Sequence, residues 1–113
     1  VGALDTTFNG TGFLQVLTMA AYGRRVVIDS SGRAVATGYG SPSGSDDAVV
    51  VRVTAAGAFD PTFNSGAPLW VAIGGTDVGY GITLDALGRI LVAGFSYVNN
   101  EHENDMLLMR ITP

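Results

Sequence analysis

Cysteine and lysine are absent from this 113-residue chain, histidine and tryptophan occur once each, and only 14% of the residues are charged. Without cysteine there is no disulfide framework and no thiolate metal site. That absence leaves the cellular compartment open. The six basic residues are all arginine, at positions 24, 25, 33, 52, 89 and 110, and ten acids bring the net charge to −4. Arginines so dispersed form no basic patch for phosphate or anionic lipid, so nucleic-acid binding is not expected. No apolar run approaches the roughly 20 residues of a membrane span, and insertion into a bilayer is not expected either. No signal peptide is visible, and the chain opens on Val1, which reads as processing or excision from something longer. What is plentiful is apolar surface, at 47%, and glycine, with 16 residues. That balance argues for one folded domain and against disorder.

The chain repeats itself. "LDTTFNGTG" at Leu4–Gly12 returns as "FDPTFNSGA" at Phe59–Ala67, so Phe8 and Phe63 stand 55 residues apart. "DSSGR" at Asp29–Arg33 returns as "DALGR" at Asp85–Arg89, an offset of 56 that Gly38 and Gly94 keep. "DAVVVRVT" at Asp47–Thr54 returns as "DMLLMRIT" at Asp105–Thr112, an offset of 58. The drift falls in loops, where a structural repeat tolerates insertions. We therefore read residues 1–113 as a single unit of two repeats, about 4–58 and 59–113.

Each repeat holds four short runs rich in Val, Ile, Thr and aromatics, as strands prefer. They are 13–18, 24–29, 33–39 and 48–54 in the first repeat, and 68–73, 79–85, 89–97 and 106–112 in the second. Asp29 and Asp85 open turns that Gly32 and Gly88 close, with Gly free to take a positive φ. The second and third runs of each repeat should therefore form antiparallel hairpins. "LTMAAYGRRVVI" has helix-compatible spacing, but its counterpart "AIGGTDVGYGIT" carries four glycines, each costing a helix about 1 kcal/mol. Almost no helix is expected. The fold class that follows is all-β: two four-stranded antiparallel β-propeller blades. An eight-stranded β-sandwich is the alternative.

"LDTTFNGTGFLQV", "VVIDSSGRAVATGY" and "AVVVRVTAAGAFDPTFN" resemble the delta-60 repeat, a bacterial β-propeller-like family. The likeness covers nearly the whole chain in two copies. It implies architecture more than activity, and a setting in long exported or surface proteins, hence an extracellular or cell-surface location.

By analogy with propellers, 24–29 is an innermost strand and 13–18 an outermost one. The first blade then comprises 24–29, 33–39, 48–54 and 68–73, the second lacks its outer strand, and strand 13–18 lacks a blade. Two blades cannot close a ring, which takes at least four. Closure needs other copies or a longer chain. With other copies, strand 13–18, through Phe13, Leu14 and Val16, would complete the blade that ends with Leu107 and Met109. Two, three or four copies would give four, six or eight blades; three is favoured and four next.

The recurring residues read as structural. Asp5 and Asp60 would bond backbone amides in a turn, and Phe8 and Phe63 would plug gaps between blades. Arg52 and Arg110 would bury their stems and pair with an acid such as Asp60. The acids Asp46, Asp47, Glu101, Glu103 and Asp105 with His102 lack the spacing of a calcium loop, and we expect no metal and no cofactor. His102 has no visible orienting partner for general-base work, so no catalytic residue is expected. Trp70, Tyr39 and Tyr97, with Phe95, are candidate contacts for a glycan, as in a lectin-like propeller. The function expected is a non-catalytic building block that acts as a scaffold or as a protein- or ligand-binding module.

Overall fold

The computed structural model describes residues 2–16, 19–97 and 103–113. These residues form two antiparallel sheets. The first has four strands in the order β1 (Ala21–Ile28), β2 (Ala34–Gly40), β3 (Asp47–Val53) and β4 (Leu69–Val71). The second has three, β5 (Thr76–Leu84), β6 (Ile90–Tyr97) and β7 (Asp105–Ile111). Neither sheet closes into a barrel, and this is the architecture of propeller blades. The described residues contain no α-helix, only a 3-10 turn at Asn64–Gly66.

The hairpins form at the expected turns. Asp29 accepts bonds at Oδ1 from the Ser31 and Arg33 amides, and Gly32 takes φ 74°. Asp85 does the same for Leu87 and Arg89, with Gly88 at φ 75°. Each Asp also accepts its arginine's Nε at 2.6 Å. Gly38 and Gly94 sit opposite bulges, between Gly23 and Arg25 in one sheet and between Gly79 and Gly81 in the other. A Cβ there would run into the carbonyl of Tyr22 or Val78, which explains why both repeats carry glycine.

One expected strand is corrected. Residues 13–16 have no strand geometry, and 17–18 lie outside the described residues. A strand exists by sharing its ladder with a neighbour, and among the described residues this segment pairs with none. Its counterpart at 68–73 is also shorter than expected, at Leu69–Val71, where Val50 faces Leu69, Val49 faces Trp70 and Ala48 faces Val71.

The core lies between the sheets. Strand alternation puts Val35, Thr37, Val50 and Arg52 on one face of the first sheet. Val35 and Val50 meet Ile90 and Val92 of the second sheet, with Phe63 in the same cluster and Ile82, Leu84, Met109 and Ile111 packed around it. Gly79 lets β5 approach the Thr37 hydroxyl where a Cβ would not fit. Phe63→Ala is expected to cost about 3–5 kcal/mol, because the ring fills the seam between two rigid sheets. Urea unfolding of the variant checks this.

Candidate functional site

The most heavily built polar feature is a clasp at the end of β3. The Asp60 amide bonds the Arg52 carbonyl at 3.0 Å, folding the chain back after the Thr54–Ala58 turn. Asp60 Oδ1 then accepts the Thr62 hydroxyl at 2.7 Å and the Thr62 amide at 2.9 Å. Its other oxygen, Oδ2, accepts Arg52 Nε at 2.8 Å and Arg33 Nη1 at 3.1 Å. Arg52 is 4% exposed, lies over the Phe63 ring at 5.1 Å and donates to the Thr62 hydroxyl. The Thr62 hydroxyl and amide, with Arg52 beside them, hold the Asp60 carboxyl down to about 2. A depressed carboxyl stabilises the fold while it is ionised. Its contribution is whole above the ordinary value of 3.8 and disappears as pH falls to about 2. Acid melting curves of Asp60→Asn should therefore converge on those of the parent in that window.

The same phrase folds the same way at the start of the chain. Asp5 Oδ1 accepts the Thr7 hydroxyl at 2.6 Å and the Thr7 amide at 3.0 Å. The Phe8 amide bonds the Asp5 carbonyl as that of Phe63 bonds Asp60. Asn9 and Asn64 both take positive φ and donate from the side-chain amide to the carbonyl four residues on, Phe13 and Pro68 respectively. The difference is the second oxygen. Asp5 Oδ2 has no ion pair among the described residues, and Asp5 is exposed. Phe8 is only half-buried, against Gly57, and the Asn9 amide bonds the Ala56 carbonyl at 2.8 Å.

The matching vacancy is at the other end. Arg110 stands where Arg52 stands, yet it is exposed and has no ion pair among the described residues. Leu108 corresponds to Val50 and Met106 to Ala48. Val50 and Ala48 are fully buried beneath the second sheet and beside β4, whereas Leu108 is 69% and Met106 90% exposed. Leu107 and Met109, the other expected assembly residues, face the first sheet and are half-buried. Phe13 is exposed, while Leu14 and Val16 lie over the opposite face of the first sheet. There they border a cavity of about 350 Å³ with Met19, Tyr22, Val49 and Val51. On that face Val26 and Ile28 are exposed, although their counterparts Ile82 and Leu84 pack into the core.

The candidate ligand contacts do not converge. Tyr39 stacks on Tyr22 at 5.0 Å, with Arg24 held between the Tyr39 and Tyr80 rings at 5.0 Å from each. Trp70 covers Gly40, and Tyr97 lies against Gly75. Sequence reasoning missed this arginine sandwich; the spacing of Tyr22 and Arg24 on one strand was the available signal. It also missed Asp77, fully buried, whose Oδ2 accepts the Ile73 and Gly74 amides while Oδ1 has no partner among the described residues. Burial, with Asp77 and Asp46 nearby, raises the Asp47 carboxyl. A raised carboxyl penalises the fold once it is ionised, and the penalty vanishes below the ordinary value of 3.8. Asp47→Asn should therefore raise the melting temperature at about pH 7 and leave it unchanged at about pH 3. Among the described residues no group of acids could hold a metal ion. Glu101 and His102 lie outside them.

The family described as "Domain of unknown function (DUF5122) beta-propeller" matches residues 30–63, from the first Asp turn through β2 and β3 to Phe63. The stretch contains the Asp60 clasp, so the chain carries a propeller-like repeat. No curated protein and no solved structure matches the chain.

Proposed function

We propose that this chain is a non-catalytic β-propeller building block. It joins further copies head to tail by strand exchange, closes into a ring, and serves as a scaffold or binding module at the cell surface or outside the cell. The observation that carries this reading is the asymmetry between the sheets. β4 covers the edge of β3 in the first sheet, while among the described residues no strand covers the equivalent edge of β7, where Met106 and Leu108 are exposed. Apolar strand edges left open invite pairing with another chain. A heterologous contact of this kind closes when the rotation per copy divides the circle, and three copies, giving six blades, is the favoured ring. The two repeats of the delta-60 type supply one blade and most of the next. Electron micrographs of the purified chain should show rings of uniform diameter with an even number of blades. Unringed filaments or featureless small particles would count against closure.

A further inference from the structure

Resting on that reading, the geometry points to one register for the joint: Asp5 of one copy closes on Arg110 and Arg89 of the copy before it, and residues 14–16 pair antiparallel with 106–108. Leu14 then faces Leu108, Gln15 faces Leu107 and Val16 faces Met106, as Leu69, Trp70 and Val71 face Val50, Val49 and Ala48 within one chain. Two independent features meet in this register. The Asp5 turn is already in the conformation of the Asp60 turn, with Oδ1 engaged by Thr7 and Oδ2 open. Arg110 and Arg89 hold the places of Arg52 and Arg33, the two donors to Asp60 Oδ2.

The same register covers the exposed faces. Leu108 and Arg110, with Leu91, form the outward face of the second sheet. They would receive Val26, Ile28 and the cavity-lining Val51 of the next copy, as the cluster of Val35 and Val50 receives Ile82 and Leu84 within one chain. The partner is a second copy of this chain, chosen by one carboxylate against two guanidiniums and by an apolar strand edge.

The test exploits the absence of cysteine. A Leu14→Cys/Leu108→Cys double variant, oxidised, is expected to give a ladder of covalently joined chains on a denaturing gel. Asp5→Asn keeps an oxygen for Thr7 but removes the charge. It should weaken assembly by about thirtyfold or more, the loss seen when one partner of a desolvated charge pair is removed. Because Asp5 is exposed in the single chain, that variant should melt like the parent at concentrations where both are dissociated. A parent that assembles, with no cross-link and no effect of Asp5→Asn, overturns the register and leaves the building-block reading standing. A cross-link formed within single chains overturns the register too. A parent that stays monomeric at every concentration overturns both.

Discussion

Arg52→Ala is expected to destabilise the fold by about 3–5 kcal/mol, enough to lower the melting temperature by on the order of 15 °C in a domain of this size. The guanidinium is buried, and three groups depend on it: the Asp60 carboxylate, the Thr62 hydroxyl and the Phe63 ring. Removing it leaves the carboxylate at the seam between the sheets with Arg33 as its remaining cation. Arg52→Lys should recover little, since an ammonium cannot serve Asp60 and Thr62 while lying flat on the ring. Arg110→Ala is the informative contrast. Arg110 occupies the same position in the second sheet but is exposed, so its loss should barely alter the melting of the isolated chain. Differential scanning calorimetry at low protein concentration separates the two. Equal losses from both variants would mean that Arg110 already has a buried partner within its own chain.

Deletion of residues 1–18 should abolish assembly. The segment holds the Asp5 turn and the residues proposed to complete the second sheet, so without it the β7 edge has nothing to recruit. The truncated chain also loses the cover that Leu14 and Val16 give to Val49 and Val51. Some loss of stability should accompany the loss of assembly, and Leu14→Asp in the full-length chain separates the effects. It keeps the Asp5 turn but places a charge against the apolar edge, and it should dissociate copies while leaving the two-sheet core intact. Sedimentation velocity reports the first change and near-ultraviolet circular dichroism of the Trp70 environment the second. Persistence of large species in both variants would show that residues 1–18 are not the connecting element.

Much of this fold was legible in the sequence because its turns are chemically explicit. Asp29 and Asp85 announce their hairpins by an acid that caps the turn and a glycine that closes it. The bounds of β2, β3, β6 and β7 fall within a residue or two of the apolar runs. Residues 13–16 carry no strand geometry in the single chain, because a strand-forming composition forms a strand only beside an edge to pair with. Arg33 reaching Asp60, 27 residues away, was not visible, because a turn arginine repeated in both halves says nothing about a further partner across the blade. The buried Asp77 was equally hidden, since an acid beside glycines reads as loop chemistry until the Ile73 and Gly74 amides are seen to need an acceptor. The aromatic positions have separate surroundings. Tyr39, Trp70 and Tyr97 each found a separate structural contact, and their periodicity could not distinguish packing from a pocket.

Native mass spectrometry across a range of concentrations decides whether copies of this chain join into a closed assembly. A discrete species is expected at a small multiple of 11.7 kDa, with three copies favoured and four next, and it should collapse to single chains on Asp5→Asn or on deletion of residues 1–18. A single 11.7 kDa species persisting at high micromolar concentration would contradict that expectation.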